Sequence, residues 1–385
     1  MRVLVISSRF PWPVHTGDRL RASIWLSALA PDTRVALVAP AGPLPAGPKT
    51  FEFYPASRSF TRGVRGVFAM FRRRLPLQSL LAAPYDWHKA IAAARRAMGT
   101  FDVTIVILAR VDPWIRGSLG GGLKILDAID SLRRNAEERG NAASPLTRWL
   151  WRHEERRLAR AEKTLSLTYD RIVVVSSDEQ SELGPNAVVI ENRVRIAPLD
   201  SDAPRRFDFG FWGRLAYFAN ADAAMWLIDE IWPAILDRNP SATCIIAGAD
   251  APRSMRRAAA RRGIALHSPV DDMAMLARSV RVAILPIRYG SGQSSKVLEA
   301  GEAGCAIVGT RQALRALPLL MPLVRIAGDA PSLAEAATEL LAASDRPAMA
   351  SALRSVIAAN YSHEKIVQQL ATLAGVREPG QAVTA

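Results

Sequence analysis

Cysteine is almost absent from this chain. Its 385 residues include two, Cys244 and Cys305, both inside apolar runs (TCIIAG and GCAIVG). Two thiols so placed argue against a disulfide framework and fit a reducing, cytoplasmic setting. Histidine is scarce as well. The five residues, at 15, 88, 153, 267 and 363, are too widely spaced for a ligand cluster, so no metal site is expected. Long hydrophobic runs are missing: VAILPI and LPLLMPLV fall far short of the roughly 18 apolar residues of a membrane span. The opening MRVLVISSRF has four apolar residues in a row, too few for a signal-peptide core, and reads as a buried strand. Lysine is the last shortage. Only six of the 50 basic residues are lysine (Lys49, Lys89, Lys124, Lys163, Lys296, Lys365), and the rest are arginine.

What remains is an ordinary globular mix, 49% hydrophobic and 22% charged, which excludes a disordered chain, a coiled coil and a collagen repeat. The length suggests two domains. The net charge of +14 speaks for a polyanionic partner only where it clusters.

Short apolar runs alternate with longer helical patterns. The runs lie at 3–7, 35–39, 103–108, 125–128, 172–175 and 188–190, then at 207–212, 243–247, 282–286, 306–309 and 323–327. Runs without strict alternation indicate strands covered on both faces, hence parallel sheets. Helical patterns fall between them at 19–30, 86–98, 145–165, 221–238, 271–279 and 294–304, followed by three helical patterns across 331–374. The repeated alternation predicts an α/β chain with two Rossmann-like, doubly wound domains. The polar stretch 192–206 (NRVRIAPLDSDAPRR) is the natural boundary.

The stretch 282–300, VAILPIRYGSGQSSKVLEA, reads as strand, Gly-rich loop and helix. Gly290, Ser291 and Gly292 form the loop, and Ser294 stands where a helix N-cap would. A glycine loop entering a helix offers free N–H groups and a positive dipole end to phosphate. Lys296 and Glu299 share one helix face. The lysine suits a diphosphate and the carboxylate suits ribose hydroxyls, together a sugar nucleotide. The plainer reading is a tight turn followed by a solvated Lys296–Glu299 ion pair. A nicotinamide fingerprint fits less well, because the next strand ends in Gly309-Thr310 with no acid for a ribose. A Walker A loop is absent.

The stretch GSGQSSKVLEAGEAGCAIVGT resembles the donor-site signature of GT-B glycosyltransferases of family 4 (glycosyl transferases group 1). FDFGFWGRLAYFANADAAMWLIDEIWP is similar to the first strand and helix of that family's C-terminal domain, and MRVLVISSRFPWPVHTGDRLRASIWLSALA to its N-terminal opening. The resemblance implies two domains facing across a cleft. Residues 1–195, joined by a returning C-terminal helix at 361–376, would form the acceptor side. Residues 205–360 would form the nucleotide-sugar donor domain, and 377–385 a disordered tail. Arg214 and Lys296 would carry the chemistry by holding the donor diphosphate. Gly17, Asp18, Gly213, Gly290, Ser291, Gly292, Ser295, Glu299, His267 and Val270 would bind the donor. The family's first glutamate position holds Ser291 here, and its N-domain histidine is missing from ILARVDPW.

The implied activity is transfer of a sugar from a UDP-, GDP- or dTDP-sugar to a glycan or polyprenyl-linked acceptor. It would be retaining and metal-free, with no covalently bound cofactor, in exopolysaccharide synthesis. Arg110, Asp127 and Asp130 are the acceptor-side candidates, although capping explains the aspartates equally well. A GT-B-fold epimerase would need a histidine in the cleft. A nucleic-acid partner finds no helix-turn-helix, RNP or zinc-finger signature, and none is expected.

The basic charge does cluster. Residues 58–96 hold nine Lys/Arg and one acid, Asp86. Phe60, Val64, Val67, Phe68, Met70 and Phe71 interleave with arginines at helical spacing, which suggests either a helix on an anionic membrane, at the inner face of the cell membrane, or a core helix with a basic solvated face. The 148–163 segment reads as a solvated structural helix with a Glu154–Arg157 pair.

Overall fold

The computed structural model describes residues 1–14, 16–29, 33–44, 50–199, 204–290 and 292–376. The tail at 377–385 lies outside the described residues. The chain forms two compact units, Met1–Glu191 together with the chain from Ile366 onward, and Asn192–Lys365.

In the first unit seven strands form one parallel sheet: β1 (Arg2–Ser7), β2 (Arg34–Pro40), β3 (Phe51–Ala56), β4 (Val103–Ile107), β5 (Leu123–Ile129), β6 (Arg171–Val174) and β7 (Ala187–Val189). Their order is β3-β2-β1-β4-β5-β6-β7. Alternation along β1 shows why its run is continuously apolar. Val3 and Val5 pack with Trp25, Leu29, Ile366 and Leu370, whereas Leu4 and Ile6 face Trp87, Ile91 and Met98. The helix His363–Leu373 thus contributes its apolar stripe to this unit's core.

The second unit repeats the plan with β8 (Phe207–Trp212), β9 (Cys244–Ala247), β10 (Ala265–His267), β11 (Val280–Leu285), β12 (Ala306–Gly309) and β13 (Arg325–Ile326), ordered β10-β9-β8-β11-β12-β13 and parallel throughout. Its strands and helices share a single buried cluster. The two sheets bear out the doubly wound α/β reading.

Two edge strands escape the run pattern. β3 is half exposed and β10 has three residues, so neither needs a continuous apolar run. Two helices escape for a similar reason. Leu132–Ala142 and Arg253–Arg261 are mostly polar and bury only a few side chains, including Leu132, Ala136, Met255 and Ala259. The 218–238 helix contains one π turn, Leu227–Ile231, just before Pro233, where the missing proline N–H breaks the ordinary ladder.

Four ionisable side chains do structural work that spacing does not reveal. Glu154 and Arg157 do not pair with each other as expected. Glu154 accepts the N–H groups of Leu77 (2.9 Å) and Gln78 (3.3 Å), and Arg157 donates to the Leu75 carbonyl. They tie the Pro145–Lys163 helix to the 75–81 segment. Arg21, on the core face of the Gly17–Leu29 helix, is 0% exposed and donates to Asp127 Oδ2 at 2.6 Å. It also donates to the carbonyls of Ile190 (2.8 Å) and Glu191 (2.9 Å), while Trp25 Nε1 donates to the same Asp127 oxygen at 2.6 Å. Asp127 is likewise 0% exposed. It is therefore neither an acceptor contact nor a cap: it is the counter-charge of a buried arginine that fastens the end of the first unit.

Replacing Arg21 with Met leaves Asp127 buried and uncompensated, which costs about 3–5 kcal/mol. The unfolding transition of the first unit in urea should move to markedly lower denaturant, and a midpoint unchanged from wild type would refute the account.

Candidate functional site

In an open parallel sheet, ligands bind beyond the carboxyl ends of the strands where the strand order reverses. In the second unit that point lies between β8 and β11. The loop after β8 carries Gly213 and Arg214, and the loop after β11 carries Gly290 and leads into the Ser295–Glu302 helix.

Glycine is required at both turns. Gly213 has φ 149° and Gly290 φ 130°. A Cβ on Gly213 would lie 2.6 Å from Lys296 Cε, so the lysine stem lies across the Gly213 backbone. Asn220 Nδ2 donates to the Arg214 carbonyl at 3.0 Å and fixes the turn. Gly248, after β9, approaches so closely that its Cβ would fall 1.7 Å from the Gly213 carbonyl oxygen.

Lys296 makes no ion pair or hydrogen bond among the described residues. The Lys296–Glu299 ion pair of the plainer reading is not formed. Burial holds the Lys296 amine below the usual lysine range, opposed by the nearby Glu299 charge. Glu299 instead accepts from Trp212 Nε1 at 3.0 Å. The indole is buried at the end of β8, so it orients the carboxylate from within the sheet. Nothing in the sequence pattern marks Trp212 for this role, because an apolar residue ending a strand reads only as core.

Ser294 occupies the N-cap position, but its side chain makes no cap bond, and its Oγ is buried without a partner among the described residues. The first N–H groups of the helix therefore keep no side-chain acceptor. Ser295 follows at the first helical position, exposed. Gly292 is half-buried, and Ser291 lies outside the described residues.

Arg214 is exposed and donates Nε to Asp250 Oδ2 at 2.8 Å. His267 ends β10, with its carbonyl accepting from Gly248 N–H at 2.9 Å. Its side chain is exposed, and Val270 packs partly against the core. Beside the loop, Arg288 makes a two-point contact with Asp222 (2.9 and 2.6 Å) and lies 4.6 Å above the Trp226 ring.

The first unit reverses order between β1 and β4. Around that point lie Arg9, Asp18, Arg110 and Asp130. Asp18 accepts from Thr16 Oγ1 (2.5 Å) and pairs with Arg9 (3.2 Å). A Cβ on Gly17 would meet nothing within 4 Å, so packing imposes no glycine there. Burial disfavours the Arg110 charge, with Arg9 adding repulsion while Asp18 and Asp130 oppose both. The Arg110 Nε is buried without a hydrogen-bond partner among the described residues. Asp130 is no cap, since Ser131 caps the following helix by accepting the Arg134 N–H. Burial pushes the Asp130 carboxyl up to about 6, Arg110 opposing.

Glu179, absent from the sequence-based candidates, stands next to it. It accepts from Ser131 N–H (3.1 Å) and Ser176 Oγ (3.0 Å). Burial, and then the Asp130 charge, push it up to about 8. The Ser176-x-x-Glu179 spacing, a capping-box pattern, was the signal that could have found it.

The folded state therefore holds a proton on Glu179 from the ordinary carboxylate range up to about pH 8, and stability falls as pH rises through that window. Glu179→Gln should flatten this decline, read from urea midpoints at pH 5.5 to 8.5 (approximate limits of the window). An equally steep decline in the variant would show that Glu179 is not the titrating group.

Residues 206–358 match the family described as glycosyl transferases group 1. No curated protein matches the chain in sequence. Among solved structures, the chain is similar to Anabaena Alr3699/HepE in complex with UDP and glucose, at TM-score 0.66 and 14% identity, covering 98% of this chain and 100% of that one. It is similar to the sucrose-phosphate synthase of Thermosynechococcus elongatus at TM-score 0.72 and 15% identity, with 97% and 98% coverage. WaaG, a glycosyltransferase involved in lipopolysaccharide biosynthesis, matches at TM-score 0.64 and 14% identity, with 97% and 99% coverage. At these identities the likeness is one of fold.

Proposed function

We propose that the chain is a glycosyltransferase, a reading supported by the match of residues 206–358 to glycosyl transferases group 1 and by the GT-B fold of its structural neighbours, and that it moves a sugar from a nucleoside-diphosphate sugar held by the second unit to a glycan or lipid-linked acceptor. The reaction is proposed to retain the anomeric configuration, need no metal ion and serve cell-surface or exopolysaccharide synthesis. The observation that carries the donor assignment is Lys296, a desolvated amine that forms no ion pair or hydrogen bond among the described residues, beside an N-terminus without a side-chain cap. Neither is bonded to an anion among the described residues, and a diphosphate supplies one.

Breaking the sugar–phosphate bond leaves negative charge on the diphosphate. Cationic groups already in place stabilise that charge without reorganising. Lys296 and the N–H groups at the start of the Ser295–Glu302 helix take this role, with Arg214 joining once Asp250 gives up its contact. These groups supply the compensation that a divalent cation would otherwise provide. Glu299, oriented by Trp212, keeps its second oxygen for a ribose hydroxyl. UDP is the proposed nucleotide, supported by the UDP and UDP-glucose complexes of the HepE fold neighbour. Arg110 and Asp130 are the proposed acceptor contacts on the first unit.

Lys296→Met should lower turnover about 100- to 1,000-fold, the usual loss on removing one pre-placed donor to a developing negative charge. Release of UDP, GDP or dTDP from a panel of sugar donors reads this, and near-normal release would remove Lys296 from the site. Trp212→Phe keeps the packing but loses the N–H. Its cost should fall mainly on donor KM, and an unchanged KM would show that Glu299 needs no such positioning. NMR of the product anomer checks retention.

A further inference from the structure

The helix Phe60–Arg73 presents an apolar stripe to solvent. Positions 60, 64, 67, 68 and 71 share one side at 3.6 residues per turn. Phe60 is 87% exposed, Phe68 76% and Phe71 66%, with Val64 and Val67 exposed between them. The helix packs inward through a different side, Gly66 and Met70, where a Cβ on Gly66 would press into Ala83. The stripe is therefore not a core face. Next to it, Arg65 and Arg72 continue round the helix, and Arg73 and Arg74 follow at its end. All four are exposed and form no ion pair among the described residues.

The apolar surface extends beyond this helix. Leu81, in the following 3-10 turn Leu77–Leu81, is 59% exposed. The side of the Pro145–Lys163 helix that grips this segment through Glu154 and Arg157 also carries Leu150 and Leu146, one and two turns before Glu154, both exposed.

We propose that these two helices form one docking surface for an anionic lipid bilayer. Phe60, Phe68 and Phe71 enter the acyl boundary, Leu146 and Leu150 widen the footprint, and Arg65 and Arg72–Arg74 meet lipid phosphates. Charge selects the occupant. A second copy of this chain would bring the same unpaired arginines against themselves, whereas an anionic membrane neutralises them, each contributing about fivefold in affinity. An aromatic stripe beside arginines on a helix lying along the surface is the pattern of interfacial binding. This inference does not depend on the donor assignment.

The test is flotation of the full chain with vesicles of phosphatidylcholine alone or mixed with phosphatidylglycerol. Binding should require the anionic lipid and weaken in high salt. Phe68→Ser with Phe71→Ser, and separately Arg65→Glu with Arg72→Glu, should each lower binding at least about tenfold. Leu146→Ser with Leu150→Ser should lower it by a smaller factor. Thermal unfolding and circular dichroism identify any variant that fails to fold. For such a variant Arg74→Gly is the second probe: Arg74 has φ 53°, which glycine adopts without strain, so it should fold at least as well as wild type and bind more weakly. Equal recovery on neutral vesicles, binding unchanged in the folded variants, or a concentration-dependent dimer abolished by Phe68→Ser without vesicle binding would overturn the proposal.

Discussion

A parallel strand cannot be followed by a hairpin to its neighbour, and this constraint governs the whole chain. Every strand must be followed by a crossover, so the chain leaves each sheet at its carboxyl edge. In both units the order reverses beside the first strand, between β1 and β4 and between β8 and β11. There adjacent loops turn to opposite faces of the sheet, and backbone is left without a lateral neighbour. The second unit uses this place to bring Gly213, Lys296 and an N-terminus without a side-chain cap together. The first brings together Arg9, Asp18, Arg110 and Asp130. The topology accounts for where the two clusters lie, and the residues at the loop ends account for how they differ.

The second cluster depends on space. Gly213 must lack a side chain twice over, for its backbone angle and for the Lys296 stem that lies across it. Gly248 must lack one because the Gly213 carbonyl occupies the place of its Cβ. The lysine stem lies across the Gly213 backbone, and desolvation is the main cause of its lowered pKa. An amine in that state gains more from an incoming anion than one on the surface would, because a low dielectric strengthens the pairing. The first cluster has the opposite balance. There Arg9 is paired with Asp18, and burial raises Asp130 and the neighbouring Glu179, so these two carboxyls are shifted toward the neutral form rather than left as counter-charges.

Much of this was legible in the sequence. The central strands advertise themselves because burial on both faces leaves no polar alternation, and the strand–loop–helix around Lys296 follows from glycine spacing and a break in period. What was hidden shares one physical trait: the side chain's partner is remote along the chain. Arg21 looks like a surface residue on a helix, and Asp127 looks like a strand-end functional acid. Only the fold joins them across 106 positions. Trp212 and Glu299 are separated by 87. Ser294 shows the converse. Local pattern makes it a cap, yet its side chain does not act as one, because local chemistry permits a hydrogen bond without requiring it.

The excess positive charge divides along the same line between local and long-range reasons. Many arginines are consumed by the fold: Arg21 by Asp127, Arg157 by a carbonyl, Arg288 by Asp222. Those at 65 and 72–74 form no ion pair among the described residues, and they stand beside apolar side chains that the fold also leaves uncovered. A folded chain gains nothing from exposing phenylalanines at 60, 68 and 71 on one side of a helix whose other side already packs. Scattered exposed apolar residues are ordinary, but a stripe bordered by unpaired cations is not. The two kinds of exposure satisfy each other only at an interface that offers hydrocarbon and negative charge together.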